Sequence, residues 1–496
     1  QETCGGKYRA FVFNAENRTV PHPHPPPNRM PGVTGGNSWI AEEGDLVEMG
    51  ASTPAHLYYV YRTSDGFLGV GTSTDGGRHF AGPLYAEYEV SLRNTSGRLK
   101  NPRGPITPRR FENGRYLLLY FNRANGGISG SRNPYFLSAG RFDAKRGTIL
   151  WSQPELILYT HYSSTLSGSS PVGDKLGYPD LFERDLDGKT EYWMTETDKQ
   201  VARIHKFDGD LIADLFAQGE ATGQPHRITP IYSTAVKPQH RIPSPLKSLD
   251  ITAMDSLTIE AWVRPVPADA PARPVLACGQ TNGTGSLFHF FAPGSRGRAL
   301  AVLFRATHED GRENAHAMET EQITQLGVAP GPHQVVLIVD GDAQIASFMV
   351  DGVILDGADE LGTGFVELAG LRSSNNSTSR ERGTPIDCSV GADVLSLRVY
   401  GSKRGSGRRG YLRTSEVVAS YRAGHDWQRQ SSPDVSAAKT DDNTAAELAA
   451  TSDDTIGASS RVPYRAPRFR QSPRAQGISE AFGIQGRTSE GHLARA

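Results

Sequence analysis

Two carboxylates and a tyrosine near the middle of the chain are the residues best suited to acid–base chemistry. They are Tyr178 and Asp180 in Gly177-Tyr178-Pro179-Asp180, and Glu196 in Tyr192-Trp193-Met194-Thr195-Glu196-Thr197. Asp180 suits a general acid or base, and Tyr178 a nucleophile or proton-transfer group. Breaking a glycosidic bond needs such a set: one group protonates the leaving oxygen while another activates water or attacks, and the Asp180–Glu196 separation would decide inversion or retention. Arg103, held in Asn101-Pro102-Arg103-Gly104-Pro105, and Arg203, which shares a strand face with His205, present guanidinium forks that grip a carboxylate or sulfate bidentately. His161, in a Ser/Gly-rich loop, is a third substrate-binding candidate. The same residues suit elimination: Arg103 or Arg203 would neutralise a uronate carboxylate while Tyr178 or His161 takes the C5 proton.

These groups must be positioned by strands. Leu57–Tyr61, Phe67–Gly71, Arg115–Phe121, Glu155–Tyr159 and Tyr192–Met194 are β-type runs separated by Gly, Asn and Asp turns, and the only helical segment expected there is Gly209–Phe216. Strand following strand at short spacing predicts an all-β array rather than βαβ units. Period-two alternation puts Tyr192, Met194 and Glu196 on one face, so Glu196 and Arg203 become neighbours if their strands pair. A second pattern alternates cleanly through Ser256–Val263, Gln334–Asp340, Ala346–Gly352 and Val394–Tyr400, as two sheets packed face to face would require.

Ser73-Thr74-Asp75-Gly76-Gly77-Arg78-His79-Phe80 sets a hydroxyl and a carboxylate two residues apart in a tight turn. Gly77 supplies a positive φ, and Phe80 begins the next strand. This device stabilises a fold and does no catalysis. The segment resembles the Asp-box of sialidase-like (BNR) β-propellers, with Asp143…Gly147…Trp151 as a degraded second copy. Residues 246–425, through Leu257–Pro265, His333–Gly341, Phe348–Val353, Leu395–Tyr400 and Leu412–Glu416, resemble a concanavalin A-like (laminin G-like) jelly roll. The two resemblances imply a secreted sialidase-like protein, a glycosidase by class, whose jelly roll binds carbohydrate. Sialidases use arginines on the substrate carboxylate, a tyrosine backed by a glutamate, and an aspartate acid/base.

The chain has 496 residues, with Lys+Arg 53 against Asp+Glu 54, so no global field draws it to nucleic acid or to an anionic membrane. No apolar run reaches the roughly 20 residues that span a bilayer, and the chain opens at Gln1 without a leader, reading as a mature secreted form or a fragment. Cys4, Cys278 and Cys388 form no zinc pattern; Cys278 and Cys388 either bridge one domain or stay as buried thiols. Asp340, Asp351 and Asp356 near sandwich turns leave a structural calcium open, with turn capping as the alternative; no other cofactor is expected.

The expected organisation is an extended segment (1–37), a propeller (38–245), a jelly roll (246–427) and a disordered tail (428–496). At roughly 40–50 residues per blade the first region holds about five blades, or part of a six- or seven-bladed ring. The expected function is a secreted glycoside hydrolase acting on acidic or deoxy-sugar-containing glycans. The alternatives are a uronate-directed polysaccharide lyase and a non-catalytic glycan-binding or adhesion protein.

Overall fold

The computed structural model describes residues 43–63, 66–91, 97–102, 104–123, 132–159, 177–197, 202–219 and 228–235, then 256–264, 274–279, 287–291, 300–307, 313–320, 332–341, 343, 345–356, 364–367, 387–391, 393–402 and 409–431. Arg103, His161 and the tail beyond Ser431 lie outside the described residues.

The first half is three antiparallel meanders. β1 (Gly44–Met49), β2 (His56–Arg62), β3 (Leu68–Ser73) and β4 (Ala81–Tyr85) pair in sequential order. In the second sheet β5 (Glu87–Tyr88) joins a meander of β6 (Thr107–Arg110), β7 (Tyr116–Tyr120), β8 (Tyr135–Asp143) and β9 (Thr148–Trp151), and β10 (Glu155–Leu158) extends the pairing along β8. The third holds β11 (Asp180–Leu186), β12 (Lys189–Thr197) and β13 (Ala202–Lys206), followed by α1 (Gly209–Ala217), the helix expected from sequence. Among the described residues there are three such sheets where the residue count suggested about five blades, and none closes on itself.

Alternation in the leucine-rich β7 explains the stacking. Tyr116, Leu118 and Tyr120 pack with Tyr58, Val60, Leu68 and Val70 of the first sheet, where Trp151 Nε1 donates to Tyr58 Oη at 3.0 Å. Leu117 and Leu119 pack with Leu181 and Met194 of the third sheet and with Ile212 and Leu215 of α1. The sheets approach through their leading strands, β1 against β6 and β6 against β11.

The Ser73–Phe80 turn joins β3 to β4. Ser73 Oγ donates to Asp75 Oδ1 (2.8 Å) and accepts from Gly77 N (2.9 Å), while Asp75 Oδ1 accepts from the Arg78 and His79 amides. Gly76 and Gly77 both take positive φ, and Phe80 packs edge-on to Tyr59. Asp143 serves the β8–β9 turn likewise, accepting from Lys145 N and Arg146 N, with Gly147 at φ 63°.

The second half contains β14 (Tyr232–Ala235), β15 (Ser256–Val263), β16 (Pro274–Gly279), β17 (Leu287–Phe291), β18 (Leu300–Thr307), β19 (Glu313–Thr320), β20 (His333–Asp340), β21 (Ile345–Val350), β22 (Val353–Ile354), β23 (Val366–Glu367), β24 (Asp387–Val390), β25 (Val394–Ser402) and α2 (Thr414–Ser431). A seven-stranded sheet runs β14-β25-β15-β20-β21-β22, with β23 on β21; a five-stranded sheet runs β19-β18-β17-β16-β24. β14, which precedes the boundary expected at 245/246, pairs with β25. Helix α2 was not foreseen: its Val417 and Val418, with Leu412 just before it, cluster with Val336, Ile338, Met349 and Tyr400, Tyr421 stacks on Trp262, and the helix crosses the tail boundary expected at 428. The β16–β24 register sets Cys278 opposite Cys388. The three aspartates weighed for calcium have other work: Asp340 caps Ala343 N, Asp351 accepts from Gln334 N beside His333, and Asp356 pairs with the buried Lys100. No cluster of three metal-ligating side chains exists among the described residues.

The halves are sewn together at the N-terminus of α2. The buried Glu155 accepts from Ser415 N (2.8 Å), Ser415 Oγ (2.8 Å) and Thr414 N (3.1 Å), satisfying helix donors that would otherwise be orphaned. Gln218 donates to Ser415 Oγ and to Gln153 O, and Gln153 Oε1 accepts from Ile354 N.

Two predictions follow from these carboxylates. Backbone donors hold Asp75 well below the usual carboxylate range, so its contribution is complete above about pH 4 and declines on acidification. Asp75→Ala should lower the melting temperature at neutral pH, by a margin that shrinks below about pH 4. Burial instead pushes Glu155 up, against its hydrogen bonds, so the stability linked to it is complete below about pH 4.5 and lost as pH rises through the folded pKa. Glu155→Gln should therefore gain on the wild-type melting temperature as pH is raised towards neutrality, and a widening deficit would contradict this.

Candidate functional site

The ends of the three meanders differ. Turns at 74–80, 112–114, 144–147 and 187–188, with Gly77, Gly114, Gly147 and Gly188 at positive φ, lie where the leading strands finish. At the opposite end the leading strands begin, β7 and β12 finish, and β8 and β13 begin; the long connections and the candidate chemistry are there.

Three leading strands meet at that end through their charges. Arg109 of β6 donates to Asp180 Oδ1 of β11 through Nη2 (2.5 Å) and Nε (2.9 Å), and its Nη1 stands 4.0 Å from Asp45 Oδ2 of β1. Asp180 is 52% exposed, and Asp45 and Arg109 each 37%. Partial burial raises the Asp45 carboxyl above its ordinary value; the Leu46 amide and Arg109 oppose the rise and the Asp180 charge adds to it. Thr107 Oγ1 donates to Pro179 O at 3.1 Å and fixes the entry to β11.

A second group lies between the second and third sheets. The Glu196 side chain is fully buried; Arg203 Nε donates to its Oε1, His205 Nε2 is 3.4 Å from the same oxygen, and Oε2 has no hydrogen-bond partner. Tyr135 stacks on Phe121 and donates to Gly177 O. Burial, then the Glu196 charge, drives its phenol above the ordinary range, with Arg132 opposing and Tyr178 adding. Tyr178 is exposed, with the Arg132 guanidinium 6.0 Å from its ring centroid.

The structure thus gathers Tyr178, Asp180, Glu196 and Arg203 at one end of one sheet, and Glu196 pairs with Arg203 as the strand period required. It does not bring Asp180 and Glu196 together. Asp180 stands opposite Thr195, so the alternation of β12 puts Glu196 on the other face, and the two carboxylates cannot flank one sugar from the same side. Asp45, Arg109, Arg132 and Tyr135 were not singled out from the sequence. The signal that could have found Asp45 and Arg109 is positional: each lies on the first strand of its meander, as Asp180 does.

No protein-family model and no curated protein matches the chain. Among solved structures it is similar to the CBM40 of the Ruminococcus gnavus IT-sialidase bound to α2,6-sialyllactose, with 12% identity and a TM-score of 0.27 over 38% of this chain and 98% of that one. It is also similar to the Trypanosoma rangeli sialidase, with 12% identity and a TM-score of 0.23 over 78% of this chain and 62% of that one. Likeness at this level transfers no residue roles.

The electrostatics of the leading-edge triad can be read directly. Carboxyl-resolved NMR titration should show the Asp45 midpoint rising in Arg109→Met and falling in Asp180→Asn. Shifts of the same sign in both variants would break the assignment.

Proposed function

We propose that the chain is a secreted glycoside hydrolase acting on acidic glycans. In this reading its three meanders are part of a sialidase-like propeller, and its two later sheets form a concanavalin A-like jelly roll that holds the glycan. The observation that carries the reading is the convergence of Asp45, Arg109 and Asp180 from three successive leading strands. Asp45, whose carboxyl is raised by burial, is the general acid that protonates the leaving oxygen. Asp180, more exposed and held by Arg109, is the general base or nucleophile. Arg109 lies between them, its Nε and Nη2 on Asp180, and its Nη1 is the donor that reaches a substrate carboxylate. Tyr178, with Arg132 over its ring, lines the approach, and the Glu196–Arg203–His205 group anchors the sheet edge behind it.

The test is cleavage of a panel of acidic polysaccharides and aryl glycosides. Asp45→Asn and Asp180→Asn should each lose about 10²-fold or more in kcat, with melting temperatures within a few degrees of wild type. Polysaccharide products without ultraviolet absorption mark hydrolysis; unsaturated, absorbing polysaccharide products would replace this reading with the lyase. Wild-type protein that binds the panel without cleaving it would leave the adhesion protein.

A further inference from the structure

Only 3 of the 496 residues are cysteines, and the second half sets two of them opposite each other on neighbouring strands. The β16–β24 register runs without a bulge, Leu276 against Val390, Ala277 against Ser389, Cys278 against Cys388 and Gly279 against Asp387. Residues directly opposite in an antiparallel pair have Cα atoms about 4.5–5.5 Å apart, within the roughly 4.4–6.8 Å that a disulfide spans, and they share one side of the sheet. That side is the covered one, because Leu276, two positions before Cys278, is wholly buried. β24 is the edge strand of its sheet, reads Asp-Cys-Ser-Val, and has β17 to β23 between it and its partner in sequence. Val390 is its single large apolar residue, so the hydrophobic pattern holds its register weakly, and a slip of one residue would turn every side chain to the other side. After residues 391–393 the chain enters β25, between β14 and β15 of the seven-stranded sheet, so whatever fixes β24 also fixes the crossing from one sheet to the other.

We propose that Cys278 and Cys388 are joined by a disulfide that pins the edge strand β24 in register and leaves Cys4 as the free thiol. The inference stands apart from the glycosidase reading. The bond forms by exchange with a low-molecular-weight disulfide such as oxidised glutathione: one cysteine thiolate attacks it and releases the first small thiol, and the second thiolate attacks the mixed disulfide and releases the other. Two protons and two electrons leave the cysteine pair, and the small disulfide takes them up as two thiols. A cross-link over so long a loop acts mainly by removing conformations from the unfolded chain.

The test uses the full chain folded in a mixture of reduced and oxidised glutathione. Thiol counting under denaturing conditions should find one free thiol per chain before reduction and all three after it, and a non-reducing digest should hold one linked peptide that contains Cys278 and Cys388. Cys278→Ser and Cys388→Ser should each lower the melting temperature by about 5 °C or more, the double variant should lose no more than either, and reductant should bring the wild type down to the double variant while leaving the double variant unmoved. Three free thiols in the unreduced wild type, a linked peptide that contains Cys4, or a wild-type melting temperature indifferent to reductant would overturn the proposal. The thiol count and the digest are made on the wild type, so they decide the matter even where a serine variant fails to fold.

Discussion

A strand that is apolar on both sides cannot stop at one neighbour, and β7 is such a strand. Tyr116-Leu117-Leu118-Leu119-Tyr120 is buried throughout, its even residues in the core shared with the first sheet and its odd residues in the core shared with the third. At about 1.5–3 kcal/mol for burying each large apolar side chain, no arrangement that exposes one of these faces competes. The stack follows from this, and so does its order. Because the sheets meet through β1, β6 and β11, residues far apart in sequence, Asp45, Arg109 and Asp180, come to the same edge. The candidate site is thus a consequence of how a two-faced sheet must be covered.

The second constraint is the seam. Buried carboxylates are tolerated where donors meet them. Glu155 meets the first amides of α2, and Glu260, beneath the same helix, accepts from Gln334 and Ser420. Lys100, wholly buried in the first half, reaches the Asp356 carbonyl in the second. These contacts tie the two halves together at this seam through buried polar groups.

The sequence shows local features well and convergence poorly. The Ser73–Asp75 turn could be read because its hydrogen bonds fall within seven residues, Ser73 to His79, and the Glu196–Arg203 pair could be read because it spans one hairpin. Four strands of the seven-stranded sheet, β15, β20, β21 and β25, declared themselves by alternation. What stayed hidden depends on register or on distant partners. The separation of Asp180 from Glu196 turns on a single-residue offset across β11 and β12. Helix α2 is stabilised by Glu155, some 260 positions away, so its start carried no local signal strong enough to stand out. Asp45 and Arg109 matter only through neighbouring sheets.

The most direct measurement is a crystal structure of the chain with a bound acidic oligosaccharide. The sugar carboxylate should lie on Arg109 and the glycosidic oxygen within hydrogen-bonding reach of the Asp45 carboxyl, at the end of the meanders where β1, β6 and β11 begin. An oligosaccharide seated only on the later sheets, with the leading edge free of sugar, would contradict it.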